Sequence, residues 1–178
     1  SAEMIADKWD ISRTELDELG VRSHARALQA TEEGRFEPEM VPMTVGDETY
    51  MTDQGIRPGT SVETLAGLKP AFKEDGKITA GNASQVSDGA AAVMLMSREK
   101  ADELGLKARA RIVDTTTVGV DPVIMLTGPI PATRKILERN SMGIGDVDLV
   151  EINEAFASVV LAWEKELKPD MDRVNVNG

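Results

Sequence analysis

Along the first third of the chain, apolar and polar positions alternate in a helical rhythm. Ser1 to Lys8 predicts a short helix. Ser12-Arg13-Thr14-Glu15 has the form of a capping box and opens a longer helix running toward Glu33, which Gly34 closes. On that helix Leu16, Leu19, Ser23, Ala27 and Ala30 fall near one face, with Arg13, Asp17, Arg22, Arg26 and Glu33 polar. The apolar face is small rather than bulky, so it predicts close packing against another element. From Phe36 to Pro58 the rhythm breaks at Pro38, Pro42, Gly46, Gly55 and Pro58, leaving Met40 to Val45 as one extended segment. A second capping box, Thr60-Ser61-Val62-Glu63, predicts a short helix carrying Leu65 and Leu68 and stopped by Pro70.

Beyond Pro70 the pattern predicts strands among helices. Lys77 to Ala80 reads as a short strand followed by the turn Gly81-Asn82-Ala83-Ser84, and the apolar run Val93 to Met96 reads as a buried strand. Ser97 caps a helix from Arg98 to Leu104 that ends at Gly105. Arg109 to Val118 alternates as a strand, and Pro131 sits in the first turn of a helix that runs to about Asn140. Leu149 to Ile152 predicts a strand feeding a helix from Glu154 to Leu167, and Arg173 to Val176 a last strand. Alternating strands and helices in this half point to an α/β layer with a largely covered sheet.

Composition narrows the chemistry. The 178 residues are 41% hydrophobic, enough for a core, and the net charge of −11 repels phosphate backbones and anionic lipid surfaces, so neither nucleic acid nor membrane is an expected partner. No apolar stretch approaches the ~20 residues of a membrane span, and Ser1 to Asp10 is charged rather than signal-like, which makes the cytoplasm the expected compartment. With no cysteine and one histidine, His24, the chain has no disulfide, no thiolate metal site and no cysteine nucleophile, and no metal is expected. His24 lies mid-helix between Arg22 and Arg26 and reads as a solvated side chain without a role.

Three constellations could carry chemistry. Glu151-Ile152-Asn153-Glu154-Ala155-Phe156-Ala157 puts Asn153 where a buried strand is expected to meet a helix, a junction whose free N–H groups suit an anionic or carbonyl oxygen. By spacing alone, Asn153 is more simply a helix N-cap. Thr79-Ala80-Gly81-Asn82-Ala83-Ser84 offers small side chains against which a long flexible ligand could lie, with the Ser84 hydroxyl to bond an amide; a tight turn packed under another element explains it equally well. Thr117-Val118-Gly119-Val120-Asp121-Pro122 leads through Met125 to Gly128-Pro129-Ile130-Pro131, a stiffened loop in which Met125 is either a channel wall or ordinary core.

In this order these runs resemble the thiolase family across nearly the whole chain. The similarity also takes in Ile11-Ser12-Arg13, Arg22-Ser23-His24, Gly34-Arg35-Phe36, Leu68-Lys69-Pro70-Ala71-Phe72, Ser87 to Ala92, Asp148 to Ala157, and Val174-Asn175-Val176-Asn177-Gly178. The resemblance implies the thiolase fold: two similar α/β halves packed in five α-β-α-β-α layers, with a loop domain inserted in the first, only partly represented here. It further implies that residues 1–85 are most of the loop domain, 86–107 the closing segment of the first half, and 108–178 the first part of the second. On this reading the chain begins after the first half's core and ends before the second is complete.

Family roles carry over by position. Asn153 matches the residue that positions a water in the oxyanion hole for the thioester carbonyl. Ser84 matches the serine bonded to the pantetheine arm of coenzyme A, and Ala80 and Phe72 line the same tunnel. Met125, Ala155 and Phe156 match residues around the reacting end. Arg57 matches an arginine beside the adenine nucleotide, and Thr64 stands where many members have serine, keeping the hydroxyl. Thiolases make or cleave 3-oxoacyl-CoA by acyl transfer through a cysteine, with a histidine and a second cysteine assisting, and none of these three is in this sequence. The chain alone is therefore expected to be inactive, with acyl-CoA as substrate, no covalently bound cofactor, and a homodimer or homotetramer as the assembly. Leu126 after Met125, where biosynthetic members commonly have glycine, resembles members that degrade bulky, steroid-like acyl chains. An alternative reading is a non-catalytic thiolase-like subunit that binds coenzyme A or scaffolds a partner.

Overall fold

The computed structural model describes residues 1–178. Helix α1 (Ala2–Lys8) leads into α2 (Arg13–Glu32), which opens on the capping box that the sequence predicts. The Ser12 hydroxyl accepts the Glu15 N–H at 3.1 Å and the Glu15 carboxylate accepts the Ser12 N–H at 2.6 Å, satisfying two donors that a helix start leaves open. Strands β1 (Met43–Val45) and β2 (Glu48–Tyr50) form an antiparallel hairpin turning at Gly46, whose φ is +61°. The extended segment expected from Met40 thus narrows to three residues and gains a partner strand that the pattern did not announce.

Helix α3 (Val62–Ala66) is capped one residue later than expected, by Ser61 with Thr64 rather than by Thr60 with Glu63. The Ser61 N–H is taken by the Thr64 hydroxyl at 3.0 Å, while the Thr60 hydroxyl is committed to the Arg57 carbonyl at 2.7 Å. Helix α4 (Arg98–Glu103) keeps its Ser97 cap, α5 (Pro129–Arg139) runs to Asn140 as expected, and α6 (Ala157–Leu167) ends at Lys168 with φ +51°.

Most expected strands are not strands in this chain. Val150 and Val174 form a single parallel bridge, with the Val150 N–H on the Arg173 carbonyl and the Asn175 N–H on the Val150 carbonyl, both at 2.9 Å. That bridge is all that Leu149 to Ile152 and Arg173 to Val176 make of a sheet. At Lys77 to Ala80 the N–H groups of Lys77 and Ile78 go to the Glu3 carboxylate, a side chain of α1, instead of a neighbouring strand. Val93 to Met96 lies exposed and pairs with no other strand. Of Arg109 to Val118 only the second half alternates, with Asp114, Thr116 and Val118 half-buried and Thr115 and Thr117 exposed, as an extended ribbon along α5, while 109–113 is exposed throughout. Its carbonyls at Thr115 and Thr117 accept from Arg139 and Lys135, and Asp114 accepts from Arg139 and Asn140. The physical reason is common to all of these: a strand exists only where a neighbour takes its backbone donors and acceptors.

The core gathers around α6, which packs on α1, α2 and α5. Ile5, Ile11, Leu16, Ile78, Val160, Trp163 and Val174 are fully buried, and the Trp163 indole N–H reaches the Thr133 hydroxyl at 3.0 Å. The small face of α2 packs as closely as its composition predicts. A methyl at Gly20 would come within 2.4 Å of the Gly81 carbonyl oxygen, and one at Gly178 within 2.4 Å of the Ser23 carbonyl oxygen.

Candidate functional site

Two small-residue segments meet beside α2. The Ser84 N–H donates to the Ala155 carbonyl at 3.0 Å, Ala83 and Phe156 form an antiparallel bridge, and the Ala157 N–H donates to the Asn82 carbonyl at 2.9 Å. The turn holding Ser84 is therefore stitched directly to the segment that follows Asn153. Beside the seam lies a cleft of about 180 Å³, whose walls include Gly20, Ser23 and His24 of α2, Gly81 to Gln85 of the turn, and Glu154.

A buried polar network fixes the turn. The Asp17 carboxylate, 1% exposed, takes the Arg13 Nε–H at 2.7 Å and the Asn82 amide at 2.8 Å. Asn82 in turn accepts the Thr79 N–H at 2.9 Å and donates to the Lys77 carbonyl at 3.1 Å. The Arg13 guanidinium extends to the carbonyls of Leu65 and Leu68, tying in the end of α3. Every group in this chain of contacts is partnered, the condition under which a buried polar network rigidifies its surroundings.

The other wall is set by Asn175. Its carboxamide accepts the Ile152 N–H at 2.8 Å and donates to the Ile152 carbonyl at 2.9 Å and to a Glu154 carboxylate oxygen at 2.8 Å. The Glu151 carboxyl is pushed up from its ordinary value by the partial burial around it and by the charge of Glu154.

The expected junction at Asn153 has a different form from the one the pattern suggests. The helix begins at Ala157 rather than Glu154, with Phe156 as its extended N-cap residue, so Asn153 does not cap it. The first helical donor, the Ala157 N–H, is spent on Asn82. Asn153 is exposed, and its carboxamide makes no hydrogen bond within the chain.

The other sequence-predicted positions group unevenly. Phe72 and Phe156 stack edge to face at 5.9 Å, so an expected tunnel residue touches one expected at the reacting end, next to the seam. Arg57 donates to the Gln85 side chain at 3.1 Å, which brings its guanidinium next to the turn. Ala80 is exposed at the start of that turn, and Ala155 supplies the carbonyl that holds Ser84. Thr64 is engaged in capping α3, its hydroxyl donating to the Ser61 carbonyl at 2.8 Å. Met125, 62% exposed, stands on the turn Pro122–Thr127 that packs against α1 and α6. Of these positions, Ser84 alone lines the cleft.

His24 is not the freely solvated residue that its flanking arginines suggest. It is half-buried in the cleft wall, its Nδ1 accepts the Arg57 N–H at 3.3 Å, and its pKa is pushed down by burial and by the Arg57 charge, against opposing pulls from Glu154 and Asp53. Asp17, Asn82, Asn175 and Glu154 also shape the site without having been singled out in the sequence. The only signal for them there is that Asn82, Glu154 and Asn175 fall inside the runs that carry the family resemblance.

Residues 1–99 match the thiolase N-terminal domain and residues 106–178 the thiolase C-terminal domain, so the chain belongs to the thiolase family. Its fold is the thiolase fold, partly represented. An acetyl-CoA acetyltransferase of Shinella zoogloeoides is 50% identical over all of this chain, and a steroid 3-ketoacyl-CoA thiolase of Mycobacterium tuberculosis is 48% identical over 99% of it. The chain covers 46% of the first of these proteins and 43% of the second, a little under half the length of the relatives it matches. Among solved structures, the Bacillus anthracis acetyl-CoA acetyltransferase superposes with a TM-score of 0.95 at 50% identity, over 99% of this chain and 46% of that one. Human mitochondrial 3-ketoacyl-CoA thiolase, solved in complex with CoA, superposes with a TM-score of 0.96 at 44% identity, over 99% of this chain and 45% of that one.

Proposed function

We propose that these residues are part of a thiolase that cleaves 3-oxoacyl-CoA or runs the reverse Claisen condensation through an acyl-cysteine intermediate. The observation that carries this reading is the seam that ties the Ser84 turn to Ala155–Phe156, two residues past the exposed Asn153 carboxamide; Ser84 and Glu154 line the cleft beside it, and Asn153 stands outside its wall. In this reading Ser84 takes the pantetheine amide, Ala80 and Phe72 flank the arm, Arg57 meets the nucleotide, and Thr64 offers the hydroxyl that serine gives in many members. Asn153 holds the water that stabilises charge developing on the thioester oxygen, a role suited to a side chain without protein partners. Met125, Ala155 and Phe156 stand toward the reacting end. The nucleophile comes from residues other than these 178, which include no cysteine, so the chain by itself is inactive. The division into loop domain (1–85), closing segment (86–107) and second half (108–178) is part of the proposal, as are a cytoplasmic location and a homodimeric or homotetrameric assembly. A thiolase of Saccharomyces cerevisiae that superposes on this chain with a TM-score of 0.95 is described as dimeric and peroxisomal.

The test is a thiolysis assay with acetoacetyl-CoA and coenzyme A. The 178-residue chain should give no turnover and the full-length gene product should turn over. Replacing Asn153 by Ala in the latter should cut kcat by about 10²- to 10³-fold, the usual cost of losing an oxyanion contact. Unchanged kcat in that variant would overturn the assignment. A full-length product that binds coenzyme A without turnover would favour a binding or scaffolding subunit instead.

A further inference from the structure

We infer that Asn175 is a positioning residue for Asn153, a role that rests on the function proposed above. Asn175 is 4% exposed and adopts φ +47°, a left-handed conformation that asparagine tolerates better than most residues. In that conformation its backbone continues the bridge to Val150 while its side chain turns back along the neighbouring segment. The carboxamide there does what a further strand residue would do: it takes the N–H of Ile152 and gives to its carbonyl. Its second amide hydrogen goes to Glu154. One side chain thus holds the residue before Asn153 by both backbone groups and the residue after it by its carboxylate. Asn153 itself makes no hydrogen bond within the chain, so the direction of its carboxamide is set by how firmly these two neighbours are held. Arg26, reaching from α2 to the carbonyls of Val174 at 2.6 Å and Asn175 at 3.3 Å, keeps the clamp from moving.

The test is a double-mutant cycle in the full-length enzyme. Asn175→Asp keeps the size and the left-handed backbone preference but loses both donated bonds and sets a carboxylate against Glu154. It should lower kcat about 10- to 100-fold, as a small misplacement does, with KM for acyl-CoA within about twofold because the Ser84 turn is held separately by Asp17 and Asn82. Combined with Asn153→Ala it should cause no further loss, since the two act as a unit. Losses that multiply, or an unchanged kcat in Asn175→Asp, overturn the inference while leaving the function standing. Full activity in Asn153→Ala alone overturns both. If circular dichroism shows that Asn175→Asp does not fold, Glu154→Met, which removes one arm of the clamp, takes its place in the same cycle. Non-additivity with Asn153→Ala then supports the inference, and additivity sinks it.

Discussion

Single residues in this chain matter mainly through how closely they let backbones approach. Gly20 stands in the middle of α2 with the Gly81 carbonyl pressed onto it, so a methyl there must part the helix from the turn that carries Ser84. Gly20→Ala should cost about 1–3 kcal/mol as an overpacking change and loosen the turn. The readout is a lower urea midpoint, together with faster exchange of the Ser84 and Ala157 amides. His24 is the residue whose meaning changed most between sequence and structure, because its surroundings are set by Arg57, Asp53 and Glu154, none of them near it in the chain. Its folded pKa lies below the ordinary histidine value of about 6.5, so in the window beneath that value the unfolded chain binds more protons than the folded one. Stability should therefore fall as pH drops through the unfolded pKa toward the folded one and rise again with pH. Replacing His24 by Gln should flatten this dependence. Urea melts at several pH values between about 5 and 7.5 would show it, and a variant that keeps the wild-type slope would assign the dependence to other groups.

At the scale of elements, helices were legible and strands were not. The three helix starts with a capping signal, at Ser12, Thr60 and Ser97, form at or within one residue of the predicted place, because a cap needs only residues a few positions apart. The one-residue shift at α3 arose because Thr60, Ser61 and Thr64 all carry hydroxyls, and the choice among them depends on Arg57. Ser12→Ala should remove about 1 kcal/mol through loss of the cap, lowering the thermal midpoint. Ser12→Asp, which restores an acceptor, should recover most of it. Strand assignments failed for a different reason. The alternation from Asp114 to Val118 is real, yet it serves to lay a ribbon on α5, and a pattern of burial is silent about which chain will supply the hydrogen bonds. The same holds at Lys77 and Ile78, where a glutamate from α1 fills the place of a neighbouring strand.

Across the whole molecule, stability is concentrated around α6. Buried side chains from α1, α2, α5 and α6 form one core, whereas Val86 and Val93 to Leu95 stand largely exposed, without backbone partners. Hydrogen exchange on the 178-residue chain should separate these regions cleanly. The amides of α2 and α6 should be the slowest, and those of 86–96 should exchange within the dead time. Protection of 86–96 in this chain would mean a backbone pairing other than the one described. By itself, the sequence determined which segments form helices, the caps of α2 and α4, the close packing of α2 and the family to which the chain belongs. These rest on local spacing and on side chains whose chemistry is carried wherever they go. Only the tertiary structure decided that Asp17 and Asn82 hold the Ser84 turn, that Asn175 clamps the residues around Asn153, and that His24 faces a cleft. Those contacts join residues far apart along the chain, and a buried polar group finds its partner through the fold rather than through its neighbours in sequence.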